Sequence, residues 1–254
     1  MDDPTRRFSS RVDTYVRYRP SYPPAVIDLL QTDCGLTEDW VVADVGSGPG
    51  NLTRLFLDHG NPVYGVEPNL EMRAAGERLL GAHPRFHSVD GAAEATTLAP
   101  ASVDLVTAGQ AFHWFDRVRA RIEFARILRP AGWVALIWNE RRTTGTPFLE
   151  AYERMLVTYG TDYAKVQHQD AADATALDAF FGAGAYRVAT FGNQQDFDLT
   201  SLRGRLLSSS YAPEPRQPGH EAMLDELDRI FAATQTNGSV AFTYDTKVYY
   251  GRLE

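Results

Sequence analysis

The chain has 254 residues, 44% of them hydrophobic, with a net charge of −8 and one cysteine, Cys34. That apolar content supports a full core and excludes disorder as the default state. The lone cysteine excludes an internal disulfide, no apolar run reaches membrane-spanning length, and no basic stripe offers a track for nucleic acid.

Residues 41–46 (VVADVG) read as a buried strand interrupted by one acid, Asp44. Residues 51–59 follow as a helix, with Leu52, Leu55 and Phe56 at helical spacing. PVYGVEP (62–68) is a second strand, and 69–80 a helix opened by Asn69, a good N-cap residue. RFHSVDG (85–91) and SVDLVTAGQ (102–110) are the third and fourth strands. Residues 116–128 read as a helix whose inner side is Val118, Ile122 and Ala125, with the breakers Pro130 and Gly132 after it. GWVALIWN (132–139) is the fifth strand. Short apolar strands separated by helices of this length predict βαβ units and a parallel sheet.

The second half has another rhythm. Residues 146–160 look helical, 170–184 are Ala-rich and read as helix and turn, and 186–199 have strand character. PEPRQPGH (213–220) is a loop. An amphipathic helix at 219–234 carries Met223, Leu224, Leu227, Ile230 and Phe231 on one face. The last segment, 239–253, alternates, with Val240, Phe242, Tyr244, Val248 and Tyr250 on one side. Without a linker, residues 1–254 are expected to form a single domain, in which residues 140–220 cap the carboxyl edge of the sheet. The opening MDDPTRRF lacks the apolar centre of a secretory signal, so a cytoplasmic location is expected.

The most informative stretch is the turn after the first strand. Gly46, Gly48 and Gly50 alternate there, and bare backbone between a first strand and a first helix lets a ligand lie directly on the main chain. A dinucleotide fingerprint would require a third glycine where Asn51 stands. Glu67 ends the second strand, 21 residues after Gly46. A carboxylate at that place accepts hydrogen bonds from ribose hydroxyls and repels a ribose phosphate. The six histidines do not sit at ligand spacing with acids or thiols, so no metal is expected.

In this order DVGSGPG, VEPN, VDGAAEATTL and VTAGQAFHWFD resemble the class I S-adenosylmethionine-dependent methyltransferases. The resemblance is strongest to their small-molecule branch, the type 11 and trans-aconitate methyltransferase-like proteins. YVRYRPSYP (15–23), LLSSSYAP (206–213) and the final FTYDTKVYYGRL extend it over the chain. It implies a Rossmann-like α/β fold, a mostly parallel seven-stranded sheet with its last strand antiparallel and a helical cap. It also implies S-adenosyl-L-methionine as cofactor and S-adenosyl-L-homocysteine as product. By resemblance, Gly46, Ser47, Gly48 and Gly50 approach the methionine and ribose, and Asp44 holds the loop from below. Glu67, with Pro68 beside it, binds the ribose. Asp90, Gly91 and Ala92 face the adenine, and Gln110 and Ala111 lie near the sulfonium. Tyr18 and Arg19, within an N-terminal segment 1–30, close over the cofactor.

On the acceptor side the expected residues are His113, Trp114, Trp138, Asn139, Arg141, Arg142 and Tyr211. His113 is the candidate general base, since its pKa lies nearest neutrality. Two adjacent arginines could clamp a carboxylate. The reading that follows is in-line methyl transfer to a small-molecule acceptor by a monomer or homodimer, without nucleic-acid or membrane partners. Other chemistry on the same cofactor, and a non-catalytic binding protein, stay open.

Overall fold

The computed structural model describes residues 17–161, 163, 174–209 and 211–253. A seven-stranded sheet organises them, in the order β3-β2-β1-β4-β5-β7-β6. The strands are β1 (Val42–Val45), β2 (Val63–Val66), β3 (Phe86–Val89), β4 (Val103–Gly109), β5 (Leu128–Arg141), β6 (Tyr186–Phe197) and β7 (Val240–Gly251). β1 to β5 pair in parallel, and β7 runs antiparallel to both β5 and β6. The seven strands and the antiparallel last one are as expected from the sequence.

Alternation along the strands divides the core between the two faces of the sheet. Ala43, Val106, Leu136 and Trp138 pack with helices α4 (Arg117–Ile127) and α6 (Ala174–Phe181). Val42, Leu105, Ile137 and Val248 pack with α1 (Ala25–Cys34) and α2 (Asn51–His59). A third cluster joins Phe242 and Tyr244 of β7 to α5 (Pro147–Tyr159), α7 (Leu199–Leu207) and α8 (His220–Thr234). It gathers around the start of β7, which lies opposite the carboxyl end of β5 because the two strands are antiparallel.

Asn69 opens α3 (Leu70–Leu80), its side chain accepting from the Met72 N–H at 2.9 Å. α2 spans the expected residues. Three elements were not foreseen: α1, α7, and a short 3₁₀ turn at Phe112–Trp114. The first four residues of the expected 170–184 helix lie outside the described residues.

The inner face of α4 differs from expectation. Val118 and Ile122 are exposed, while Ala120, Phe124 and Ile127 are buried. Phe124 wins because it meets an aromatic cluster, edge-on to Phe115 and Phe180 at 6.2 and 5.9 Å between ring centres. The fifth strand also begins earlier than Pro130 and Gly132 suggested. It pairs from Leu128, with a register shift in its ladder to β4 and Ala131 at φ 63° absorbing the breakers.

Candidate active site

The loop after β1 is built around its three glycines. Gly46, Gly48 and Gly50 have φ of 70°, 55° and 92°, a region that side chains rarely adopt. Two of them are also small for packing. A Cβ on Gly46 would stand 2.6 Å from the Ala111 Cβ, and one on Gly50 would collide with Leu80. A Cβ on Gly48 would meet nothing within 4 Å. Gly48 is therefore where the backbone lies bare toward open space.

Two acids support this loop. Asp44 is fully buried beneath it, with Oδ2 accepting from the Thr53 hydroxyl at 2.6 Å. Its Oδ1 is buried with no hydrogen-bond partner. Burial pushes the Asp44 carboxyl up to about 7. Glu67, at the end of β2, accepts from the N–H of Gly48 and the N–H of Asn69, both at 2.8 Å. Burial raises its pKa, against the lowering pull of these two N–H groups. Each oxygen keeps a second lone pair for a ligand hydroxyl.

A cavity of about 250 Å³ opens above the loop. Of the residues expected to bind cofactor, Gly46, Gly48, Glu67, Pro68, Ala92, Gln110 and Ala111 line it. Trp114, expected on the acceptor side, lines it too, and Asn69, Met72, Glu94 and Phe115 complete much of the wall. Ser47 and Gly50 shape the loop from outside that lining. The Ser47 N–H donates to the Val66 carbonyl at 3.2 Å, and the Gly50 N–H to the Ser47 carbonyl at 2.9 Å.

Asp90 departs from the expected arrangement. It is exposed and bound by Arg73 through two hydrogen bonds of 3.0 and 3.1 Å, and it does not line the cavity. Arg73 also donates to the Glu67 carbonyl at 2.8 Å, so it ties the ends of β2 and β3 together. Gly91 serves close packing: a Cβ there would stand 2.8 Å from the Thr96 carbonyl oxygen. The 90–96 loop is fixed from α4. Glu123 accepts from the Thr96 N–H at 2.8 Å and from its hydroxyl at 2.5 Å. The Arg126 guanidinium holds Glu123 well below the usual carboxylate range, at about 2. No periodicity or motif marks Arg73 or Glu123 for these roles, because their partners are distant in sequence.

At the end of β4, Gln110 has φ 55°, an uncommon conformation for a non-glycine residue. Its Oε1 accepts from the Asn139 N–H at 2.7 Å, and its own N–H donates to the Ile137 carbonyl at 2.9 Å. Gly109 leaves room for the Tyr22 ring, and Gly204 for the Tyr18 ring. Asn139 and Asn193 both donate to the Ser21 carbonyl, at 3.2 and 2.8 Å. Residues 18–22 are thus strapped across β5, β6 and α7. Neither Tyr18 nor Arg19 lines the cavity.

Most of the expected acceptor residues lie elsewhere than anticipated. Trp138 is a core residue, edge-on to Phe112 and Tyr249 at 6.1 and 5.7 Å. Strand alternation sends it to the α4 face, away from Asn139. The same alternation separates Arg141 from Arg142 and breaks the expected clamp. Arg141 turns inward and pairs with Glu153 at 2.5 Å, while Arg142 pairs with Asp245 at 2.5 Å on the other face. Asn139 is buried, and its Oδ1 accepts from the Thr246 hydroxyl at 2.6 Å. Tyr211 is buried against Tyr163, with ring centres 4.9 Å apart. His113 is not among the lining residues; its ring sits 4.8 Å from that of its neighbour Trp114.

Residues 43–136 match the methyltransferase domain family. A methyltransferase-like protein of Schizosaccharomyces pombe is 28% identical over 98% of this chain and 96% of its own length. An uncharacterised methyltransferase of Mycobacterium tuberculosis is 41% identical, over 55% of this chain and 54% of its own. Among solved structures, a protein assigned as a type II methyltransferase from Anaeromyxobacter dehalogenans superposes with a TM-score of 0.66. It is 23% identical and covers 92% of this chain and 98% of its own, a likeness of fold. The matched segment spans the glycine loop, Glu67 and the Gln110 turn, so the residues that line the cavity are those that resemble a methyltransferase domain.

Proposed function

We propose that the protein transfers a methyl group from S-adenosyl-L-methionine to a small-molecule acceptor. The observation that supports this most directly is the open space over Gly48 beside the partly satisfied Glu67 carboxylate, with the unpartnered Asp44 Oδ1 buried beneath the same loop. These are the places a nucleoside-bearing ligand needs: bare backbone for close approach, a carboxylate for ribose hydroxyls, and buried negative charge near an ammonium group.

When bound, the cofactor supplies an electrophilic methyl on a sulfonium, with a good leaving group. Glu67 binds the ribose while keeping the loop in place through Gly48. Asp44 draws the amino-acid end toward the loop. Pro68, Met72 and Ala92 give an apolar slot for a flat ring. Gln110, Ala111 and Trp114 form the far wall, from which Trp114 and Phe115 exclude water. Alignment and water exclusion carry an in-line displacement of this kind, and an acceptor already ionised needs no base. The net charge of −8 favours a small acceptor over nucleic acid. We read residues 140–220 as the roof over that acceptor, within a single domain.

Titration calorimetry with S-adenosyl-L-homocysteine tests the cofactor assignment, and mass analysis of small acids, amines and phenols incubated with labelled cofactor tests transfer. Binding of the homocysteine product, with no comparable binding of NAD, is expected. Ligand at a hundredfold excess over its Kd should stabilise the fold by about 2.7 kcal/mol. Absence of homocysteine-product binding, or binding weaker than that of NAD, overturns the assignment.

A further inference from the structure

We infer that a buried cluster of Arg205, Arg141 and tyrosines, past the carboxyl end of β5, recognises a carboxylate on the methyl acceptor, with Arg205 as its anchor. This rests on the reading of the protein as a small-molecule methyltransferase and adds to it the acceptor's charge and the residue that reads it.

The two arginines differ in how they are balanced. Arg141 is neutralised: it pairs with Glu153 at 2.5 Å and donates to the Tyr163 hydroxyl at 2.8 Å. The same hydroxyl donates to Glu153 at 2.7 Å. Arg205 sits in the last turn of α7 and is only 5% exposed. One of its terminal nitrogens donates to the Ser209 hydroxyl at 3.0 Å. Its Nε is buried with no hydrogen-bond partner. Among the described residues no carboxylate pairs with it. The polar groups that surround it are the phenols of Tyr152, Tyr211 and Tyr244, the last within side-chain hydrogen-bond reach; a phenol supplies no counter-charge.

Among the described residues the cluster therefore holds two guanidinium charges and one carboxylate, an excess of one positive charge away from water. A guanidinium does not shed its proton at accessible pH, so it cannot escape the cost of burial by neutralising. That cost is large for an unpaired ion. The carboxyl end of α7 favours a cation nearby, which offsets only a small part of that cost. The stacking of Arg205 over Phe242, 5.9 Å from its ring centre, offsets a further part. An anion of one charge completes the balance. A planar carboxylate matches the guanidinium fork, and phenol hydroxyls supply further donors. A phosphate dianion would overshoot by one charge.

Position ties this cluster to the cofactor cavity. Arg141 and Arg205 both stand within 6 Å of the Phe242 ring centre, at 5.8 and 5.9 Å. Arg141 lies two residues beyond Asn139 on the same face of β5, about 7 Å along the strand. The Asn139 N–H is held by Gln110, which lines the cavity. An acceptor anchored by its carboxylate at Arg205 would present its other end toward the Gln110 side.

Benzoate is the probe, with benzamide as its neutral isostere, on the full chain. Benzoate should raise the wild-type Tm and benzamide should not. Arg205→Met should weaken benzoate binding at least tenfold, with Arg205→Lys between the two. Replacing an unpaired buried charge by an apolar side chain of similar length should leave the Tm of the free protein unchanged or higher. A purely structural arginine would instead lower it. Equal effects of benzoate and benzamide on the wild type overturn the inference, and this comparison stands even where Arg205→Met does not fold. Retained benzoate affinity in Arg205→Met overturns it as well. Binding of S-adenosyl-L-homocysteine, measured in parallel, reports on the methyltransferase reading separately, because the benzoate arms need no cofactor.

Discussion

Gly48 and Asp44 show how single residues set the site. Gly48 combines a left-handed φ of 55° with open space beyond its Cα. Gly48→Ala should lower stability by about 1 kcal/mol through backbone strain. Its methyl would also occupy the ligand's side of the loop, so the Kd for S-adenosyl-L-homocysteine should rise at least tenfold in calorimetry. Asp44 makes a prediction about pH. Its folded pKa of about 7 lies above the ordinary value near 4, so the folded state holds this proton more tightly. Its contribution to stability is complete below about pH 4 and is lost as the pH rises through 7. Denaturant melts should therefore show Asp44→Asn gaining on the wild type between about pH 5 and pH 8. A constant difference across that range would refute the burial of an ionisable Asp44.

Helix α4 works at the scale of an element, because it clamps a loop it does not adjoin in sequence. Its Glu123 gathers the Thr96 N–H and hydroxyl, and Arg126 locks the carboxylate. Glu123→Ala should cost about 1–3 kcal/mol, the penalty for stranding buried donors. It should also speed amide hydrogen exchange through residues 92–96. Here the folded pKa, about 2, lies below the ordinary value near 4. This stabilisation is complete above about pH 4 and is lost as the pH falls through 2. The gap between Glu123→Ala and wild type should close over that interval. The outer face of the same helix carries no such load. With Ile122 64% exposed, Ile122→Glu should change stability by no more than about 0.5 kcal/mol, whereas Phe124→Ala should cost about 3–5 kcal/mol.

At the scale of the molecule, the cofactor cavity rests on β1 to β4, and the charged aromatic cluster rests on β5, β7 and the helices α5, α7 and α8. Glu153 tests how separate these halves are. Glu153→Gln leaves Arg141, 11% exposed, without its counter-charge. Breaking a buried pair from one side costs about 3–5 kcal/mol. Denaturant melts should show that loss, while calorimetry should give an affinity for S-adenosyl-L-homocysteine within twofold of wild type. A large loss of cofactor affinity would mean that the two halves are energetically one.

The local chemistry of the chain by itself determined the parallel βαβ half, the glycine loop and the carboxylate at Glu67. Each depends on residues near one another in sequence: strand periodicity, the Asn69 cap, three glycines at alternate positions. Tertiary structure decided which charges are free to meet a ligand. Arg141 and Arg142 are neighbours in sequence, yet strand alternation turns one toward Glu153 and the other toward Asp245. Asp90 faces Arg73, Trp138 enters the core, and Val118 and Ile122 face solvent, because each orientation is set by what packs against it from distant segments. Arg205 carried no signal in the sequence. Its charge, unpaired among the described residues, exists only because α7 and β7 bury it among three tyrosines, one each from α5, β7 and the turn at 211, and desolvation is a property of the folded surroundings, not of the residue.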